Sequence, residues 1–267
     1  GTCYQADVVI VATGGASYPK TGSTGDGCRM ARELGHTVVP LRPSLVPLET
    51  EEKWVQDVTG LSLRNVRIGL LVDGKPAAEE FGEMMFTHFG VTGPIILSLS
   101  RTASLFLDGK HVVELALNLK PALTPEKLEM RIMRDFRIYR RKTLKNGLVD
   151  LLPHKLIGPI LDFAYLAPEN PIHQVTAKER HRLVETLQEV VLTIKQTRPL
   201  AEAIVTAGGV SVKEINPKTM ESKFVRGLYF AGEVADVDGY TGGYNLQAAF
   251  SMGYVAGIAS ARSGENA

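Results

Sequence analysis

Three glycine clusters stand where the sequence reads as the end of a strand: Ala12-Thr13-Gly14-Gly15, Thr206-Ala207-Gly208-Gly209, and Ala231-Gly232-Glu233 leading to Thr241-Gly242-Gly243. Glycine has no Cβ, so it adopts positive φ and lets a ligand come close to the backbone. In open α/β sheets, ligands gather at the carboxyl ends of strands. Three such ends suggest one extended ligand; the plainer alternative is that the glycines only serve tight turns. Gly242 and Gly243 precede a helix expected to begin near Asn245. A helix N-terminus offers free N–H groups and partial positive charge, which suit an anion. Glu233 is different, because a carboxylate accepts hydrogen bonds from hydroxyls such as those of ribose or ribityl. A ligand with both hydroxyls and anionic character is a dinucleotide.

Other residues carry chemistry with less support. His88, in Thr87-His88-Phe89-Gly90, is either a proton donor near neutrality or a structural histidine at a strand end. Thr92-Gly93-Pro94 opens a helix and reads as an ordinary N-terminus. Arg131, Arg134, Arg137, Arg140, Arg141, Lys142 and Lys145 form a basic stretch with only Asp135 against it. Leu128, Ile132, Phe136 and Tyr139 give that stretch an apolar stripe, so its cations read as the solvated face of a packed helix. No nucleic-acid partner is therefore expected. Cys3 and Cys28 are not CxxC, the six histidines have no metal spacing, and no metal site is expected. Ser17, Ser98 and Ser211 lack a nucleophile-elbow context. Trp54 reads as a packing residue. Tyr240 and Tyr244 suit either a planar ring ligand or the glycine-rich turns beside them.

The elements that position these groups change in texture along the chain. Val8-Val9-Ile10-Val11-Ala12 is a continuous apolar run that suits a strand buried on both faces of a parallel sheet. A helix is expected over residues 25–34 and a strand over 37–39, a βαβ-like beginning. From 44 to 120 the pattern is strand-rich, with strands at 45–48, 63–72, 83–87 and 112–117, a hairpin at Asp73-Gly74-Lys75 and one helix from Ile95 to Ser104. From 121 to 190 it is helical. Helices are expected at 124–142 and 176–188, with one or two between 146 and 165 broken at Pro153 and Pro159. A strand over 190–194 follows. After Pro199 the α/β texture returns, with strands at 203–206 and 227–231 and a helix from Asn245 to Ala261. The expected layout is α/β (α+β overall): a partial Rossmann-like domain at 1–43 and 199–267, interrupted at 44–198 by a β-barrel-like domain (44–120) with a helical subdomain (121–190).

Composition bounds the possibilities. The 267 residues carry 30 Lys and Arg against 29 Asp and Glu, a net charge of +1, so no overall field draws nucleic acid or anionic membrane. Two cysteines exclude a disulfide framework and suggest a reducing, cytoplasmic setting. No apolar run near the start is long enough to span a bilayer, and Gly1-Thr2-Cys3-Tyr4 has no signal-peptide pattern. The chain does not begin with Met, and it is expected to be processed or truncated. Its 26 glycines exceed the ~7% share of an average protein.

Several stretches together resemble a known family. Val8 to Gly15 resembles the "ATG" segment of FAD proteins, and Gly227-Leu228-Tyr229-Phe230-Ala231-Gly232-Glu233-Val234-Ala235-Asp236 resembles their second FAD fingerprint. With Gly22 to Gly27, Phe86 to Pro94, Thr206 to Val210, Thr219 to Lys223 and Gly239 to Gln247, the chain resembles the BaiN-like/YhiN-like bacterial flavoproteins. This is the HI0933-like, aminoacetone-oxidase-type family of FAD-dependent oxidoreductases. The resemblance runs the length of the chain, in order. It implies FAD as cofactor, NAD(P)H as a possible electron donor, and flavin-mediated hydride transfer to a small molecule. It implies cofactor contacts at Thr13, Gly14, Gly15, Gly208, Gly209, Gly232, Glu233, Gly242, Gly243, Tyr244, Asn245 and Leu246. Glu233 would meet the ribityl part, and residues 244–246 the flavin pyrimidine edge. One departure stands out. The family's strand–GxGxxG–helix unit for the pyrophosphate has no counterpart here, because Thr21-Gly22-Ser23-Thr24-Gly25-Asp26-Gly27 has the wrong spacing. The chain alone is expected to be inactive or a non-catalytic module, with an apolar surface where the absent strands would pack.

Overall fold

The computed structural model describes residues 2–264; Gly1 and 265–267, the outer ends of the expected 1–43 and 199–267 segments, lie outside the described residues. The chain divides into two compact units, Gly1–Val46 with Thr197–Ala267, and Pro47–Gln196.

The first unit begins with β1 (Val9–Val11), α1 (Asp26–Glu33) and β2 (Val38–Ser44). α1 buries Gly27, Cys28 and Ala31, and ends where Gly35 takes φ +90. β1, α1 and β2 do not form a βαβ unit. β1 pairs in parallel with a later strand, whereas β2 pairs antiparallel with a different one. Apolar periodicity identifies a strand but not its partner, which is why the expectation failed. Leu45, expected within a strand at 45–48, takes φ +54 and ends β2 after Ser44.

The second unit contains β3 (Leu48–Thr50), β4 (Ser62–Val72), β5 (Lys75–Phe86), β6 (Gly90–Thr92), α2 (Pro94–Ala103), β7 (Val113–Asn118), α3 (Pro125–Ile138), α4 (Leu144–Gly147), α5 (His154–Phe163), α6 (Ala177–Gln188) and β8 (Val190–Thr197). Its strands close into a barrel in the order β3-β6-β5-β4-β7-β8. Asp73 and Gly74 both take positive φ between β4 and β5, the requirement of a two-residue type I′ hairpin. β7 shows why the barrel has a dry interior: Val113, Leu115 and Leu117 are buried while their neighbours are half-buried. The helices share this core, with Leu128 and Ile132 of α3, Ile160 of α5 and Leu183 and Leu187 of α6 in one cluster with the barrel residues. Thr176 and Glu179 form the reciprocal capping box expected for α6. Pro159 does not break a helix. It lies inside α5, where one lost N–H bond is offset by burial of Leu156, Ile157, Ile160 and Leu161.

The chain then returns to the first unit with β9 (Val205–Val210), β10 (Leu228–Phe230) and α7 (Tyr244–Gly264). β10 pairs in parallel with β1, in register Val9 with Leu228. β9 pairs antiparallel with β2 and runs straight through Gly208 and Gly209. This corrects the reading of those glycines as the end of a parallel strand. α7 has one charged residue, Arg262. It buries Ala256 and Ser260, yet leaves Leu246, Phe250, Tyr254 and Ile258 exposed at a spacing of four, with Phe250 at 69% and Tyr254 at 72%. These residues form one apolar stripe along the helix, the kind of surface expected from the sequence. No helix among the described residues is long and apolar enough to cross a membrane.

Candidate functional site

Within the first unit, the start of β9, the segment after β10 and the start of α7 border a cavity of about 390 Å³. Gly232, Glu233, Gly242, Gly243, Asn245 and Leu246, all expected at a cofactor site, line it. Leu45, Val205, Val237 and Met252 supply apolar walls, a lining that suits a planar ring system.

Glu233 is anchored at one oxygen only. Its Oε1 accepts from the backbone N–H of Thr206 and, at 3.4 Å, from the Ser17 hydroxyl. Oε2 has no hydrogen-bond partner among the described residues, and the carboxylate faces the cavity. A fixed acceptor with one free oxygen is what a hydroxyl-bearing ligand needs.

Thr206, which sequence reasoning did not single out as a site residue, organises the neighbouring loop. Its buried hydroxyl accepts from the Ala16 N–H at 2.8 Å and the Ser17 N–H at 3.0 Å. Gly15 makes this possible, because a Cβ there would stand 2.8 Å from Glu233 Oε1 and overlap the Thr206 side chain. Thr13 and Gly14 belong to the same loop but do not line the cavity. The legible signal for Thr206 was its place before Ala207-Gly208-Gly209; its partner loop lies 190 residues away.

The start of α7 presents unsatisfied donors. The first turn closes with the Gln247 N–H on the Gly243 carbonyl at 2.9 Å. The N–H groups of Tyr244, Asn245 and Leu246 have no acceptor among the described residues, and no acidic residue occupies the first turn. Asn245 fixes the preceding loop. Its Oδ1 accepts from the Gly239 N–H at 2.8 Å, and its Nδ2 donates to the Gly239 carbonyl at 3.0 Å. Its side chain is thus committed to the loop, leaving its backbone N–H for a ligand. Tyr244 is exposed, packs on Gly242 and does not line the cavity, whereas Tyr240 does.

Gly208 and Gly209 stand apart from this cavity. Both are buried in β9, and a Cβ on Gly208, at φ +87, would overlap the Pro40 carbonyl. A Cβ on Gly209 would lie 2.6 Å from the Val234 carbonyl oxygen. Backbone-to-backbone packing accounts for both.

His88 belongs to the second unit, on the turn between β5 and β6. It is exposed, edge-on to Phe89 at 5.0 Å, and has no hydrogen-bond partner among the described residues. Thr87 builds the turn by accepting from the Gly90 N–H at 3.1 Å. Gly93, before α2, packs its Cα against Met84 of β5. Trp54 packs against Phe86 and Phe163. Cys28 is buried against the Val234 carbonyl, and burial raises its thiol pKa, whereas Cys3 is exposed. Among the described residues, no three His, Cys, Asp or Glu side chains gather as metal ligands.

Residues 1–259 match the family described as the HI0933-like protein Rossmann domain. The chain is 32% identical over 266 residues to a 3-dehydro-bile acid delta(4,6)-reductase of Clostridium scindens, covering 98% of this chain and 64% of that protein. It is 36% identical over 269 residues to a ribosomal RNA dihydrouridine synthase of Haemophilus influenzae, covering 98% and 62%. It is 30% identical over 254 residues to the ribosomal RNA dihydrouridine synthase of Escherichia coli, covering 95% and 60%. The chain thus spans less than two thirds of the length of these relatives.

Proposed function

The chain belongs to the HI0933-like flavoprotein family, whose relatives here are oxidoreductases, and from that premise we propose that it forms the larger part of an FAD-dependent reductase of ring double bonds. The two activities named for its relatives support this choice: a delta(4,6)-reductase and a dihydrouridine synthase both describe hydrogen added across a carbon–carbon double bond. When bound, FAD supplies the hydride chemistry, taking it from a donor such as NAD(P)H and passing it to the substrate.

One observation carries the cofactor reading: the free Oε2 of Glu233 and the open N-terminus of α7 face one apolar-walled cavity. Glu233 would accept from a ribityl hydroxyl. The N–H groups of residues 244–246 would favour negative charge at the flavin pyrimidine edge and so raise its potential. Gly14 and Gly15 would allow close backbone approach, with Thr206 holding the loop. The substrate is a small unsaturated ring molecule or a uracil base within RNA, and a cytoplasmic setting fits either.

A second reading is favoured by the exposed stripe on α7. By itself, the chain would be a non-catalytic module that does not retain FAD, because it carries no GxGxxG unit for the pyrophosphate and leaves that stripe uncovered. Both readings are tested by comparing the full-length protein with this chain after incubation with FAD. Flavin retained by the full-length protein, bleached anaerobically by NADPH and reoxidised by an enone or a uridine-containing RNA, supports the reductase. Flavin that is retained but never reoxidised by any unsaturated acceptor overturns that chemistry.

A further inference from the structure

α3 carries the solvated basic face expected of it, and its end concentrates cations that the sequence could not sort into paired and unpaired. The stripe Leu128, Ile132 and Phe136 does pack into the core. The cations differ in their surroundings, however. Arg131 and Arg134 share the buried Asp135 carboxylate, at 2.7 and 3.2 Å. Lys145 pairs with Glu169, and Asp150 takes the Tyr139 hydroxyl. The local carboxylates are thereby used. Arg137, Arg140, Arg141 and Lys142 have no acidic partner among the described residues, and all four are exposed. They surround a groove of about 720 Å³ that also includes Tyr139 and His173. A second groove shares Arg137, Arg140 and His173 and adds Arg180. No Asp or Glu lines either groove.

Four uncompensated cations within six residues repel one another. The negative end of α3 offsets only part of this. Such a local excess of positive charge is complementary to a polyanion. Three are arginines, whose planar forks bind phosphate oxygens in pairs. Tyr139 lies among them, with Lys142 Nζ held 4.4 Å from its ring centroid. The net charge of +1 had argued against nucleic acid, but it averages over the chain and hides this local excess.

We propose that the groove at the end of α3 docks the phosphate backbone of single-stranded RNA. This rests on the RNA arm of the reading above and assigns it a surface on the Pro47–Gln196 unit. The test uses the full-length protein and a fluorescein-labelled, mixed-sequence single-stranded RNA, with anisotropy titrations between about 50 and 200 mM salt. The groove variant carries Arg137→Gln, Arg140→Gln, Arg141→Gln and Lys142→Gln. The control carries Arg64→Gln, Arg67→Gln, Lys75→Gln and Lys110→Gln, which remove the same charge from the barrel, mostly from cations that already have acidic partners.

The expected result is at least a ~10-fold loss of affinity in the groove variant alone, with the salt slope reduced by ~3, at ~0.7 per phosphate contact on a single strand. Matching thermal melts show that the variants fold. Absence of binding at the lowest salt overturns the proposal, as does equal weakening in the control. Binding to phosphatidylserine vesicles in place of RNA also overturns it. Flavin content, read on the same samples, separates the two hypotheses. A yellow protein indifferent to the groove variant refutes the groove alone, and a colourless one that binds RNA through the groove refutes the flavin reading alone.

Discussion

The backbone N–H of Thr206, in β9, donates to Oε1 of Glu233, just beyond β10, and leaves Oε2 without a partner among the described residues, in a side chain that lines the cavity at the start of α7. The two strands belong to different two-stranded sheets, so this bond fixes the carboxylate relative to both. Ser17 and Gly15 complete the arrangement from the loop after β1.

Glu233→Gln keeps an oxygen for the Thr206 N–H but gives up the charge of the outward acceptor. A hydrogen bond to a charged group contributes ~1.5–3 kcal/mol. In the full-length protein, FAD should therefore bind roughly 10- to 100-fold more weakly, as read by flavin fluorescence titration. An unchanged dissociation constant would remove Glu233 from the site.

Thr206→Val preserves shape and the backbone bond to Glu233 but removes the hydroxyl that accepts from Ala16 and Ser17. Two N–H groups lose their partner, one of them buried, at ~1–3 kcal/mol. Chemical denaturation should show that loss of stability.

Gly208→Ala separates packing from ligand contact. Its Cβ meets the Pro40 carbonyl at a positive φ, so a loss of ~1–3 kcal/mol is expected. The folded fraction should bind FAD as the parent does. A selective loss of FAD affinity at unchanged stability would instead place Gly208 against the cofactor.

His36 is buried between Phe224 and Phe230, with Nδ1 3.1 Å from Glu214 Oε2 and Nε2 2.9 Å from the Ser222 hydroxyl. Hydrogen bonding from Thr37, then from His36, holds the Glu214 carboxyl below its ordinary value of 4.5. The folded value is depressed, so the stabilisation is present above 4.5 and is lost as pH falls through the folded value. Glu214→Gln should be less stable than the parent at neutral pH. The gap should close progressively in urea titrations below pH 4.5. A gap that persists in acid would exclude the carboxylate as its source.

The strands and helices were legible where burial imposes a period. The turn at Asp73-Gly74 and the capping box at Thr176 were legible because their geometry demands particular residues. Glu233, Gly232, Gly242 and Gly243 were legible as one group because they are close in sequence, and they line one cavity. Pairing was not, since nothing local distinguishes a Gly208 that approaches a ligand from one that approaches the Pro40 carbonyl across an antiparallel pair. Thr206 escaped notice for the same reason, because its partners lie in a distant loop. The basic stretch was legible as the exposed face of a packed helix, but which of its cations lack a carboxylate was not, because Arg131, Arg134 and Lys145 consume the acidic groups nearby.

The most direct test of the central claim is the flavin content of the full-length protein, measured by absorption after purification and after incubation with added FAD. The full-length protein should be yellow, with near-stoichiometric FAD that anaerobic NADH or NADPH bleaches, and its Glu233→Gln variant should lose the flavin on gel filtration. A full-length protein that is folded, colourless and unable to take up added FAD would contradict it.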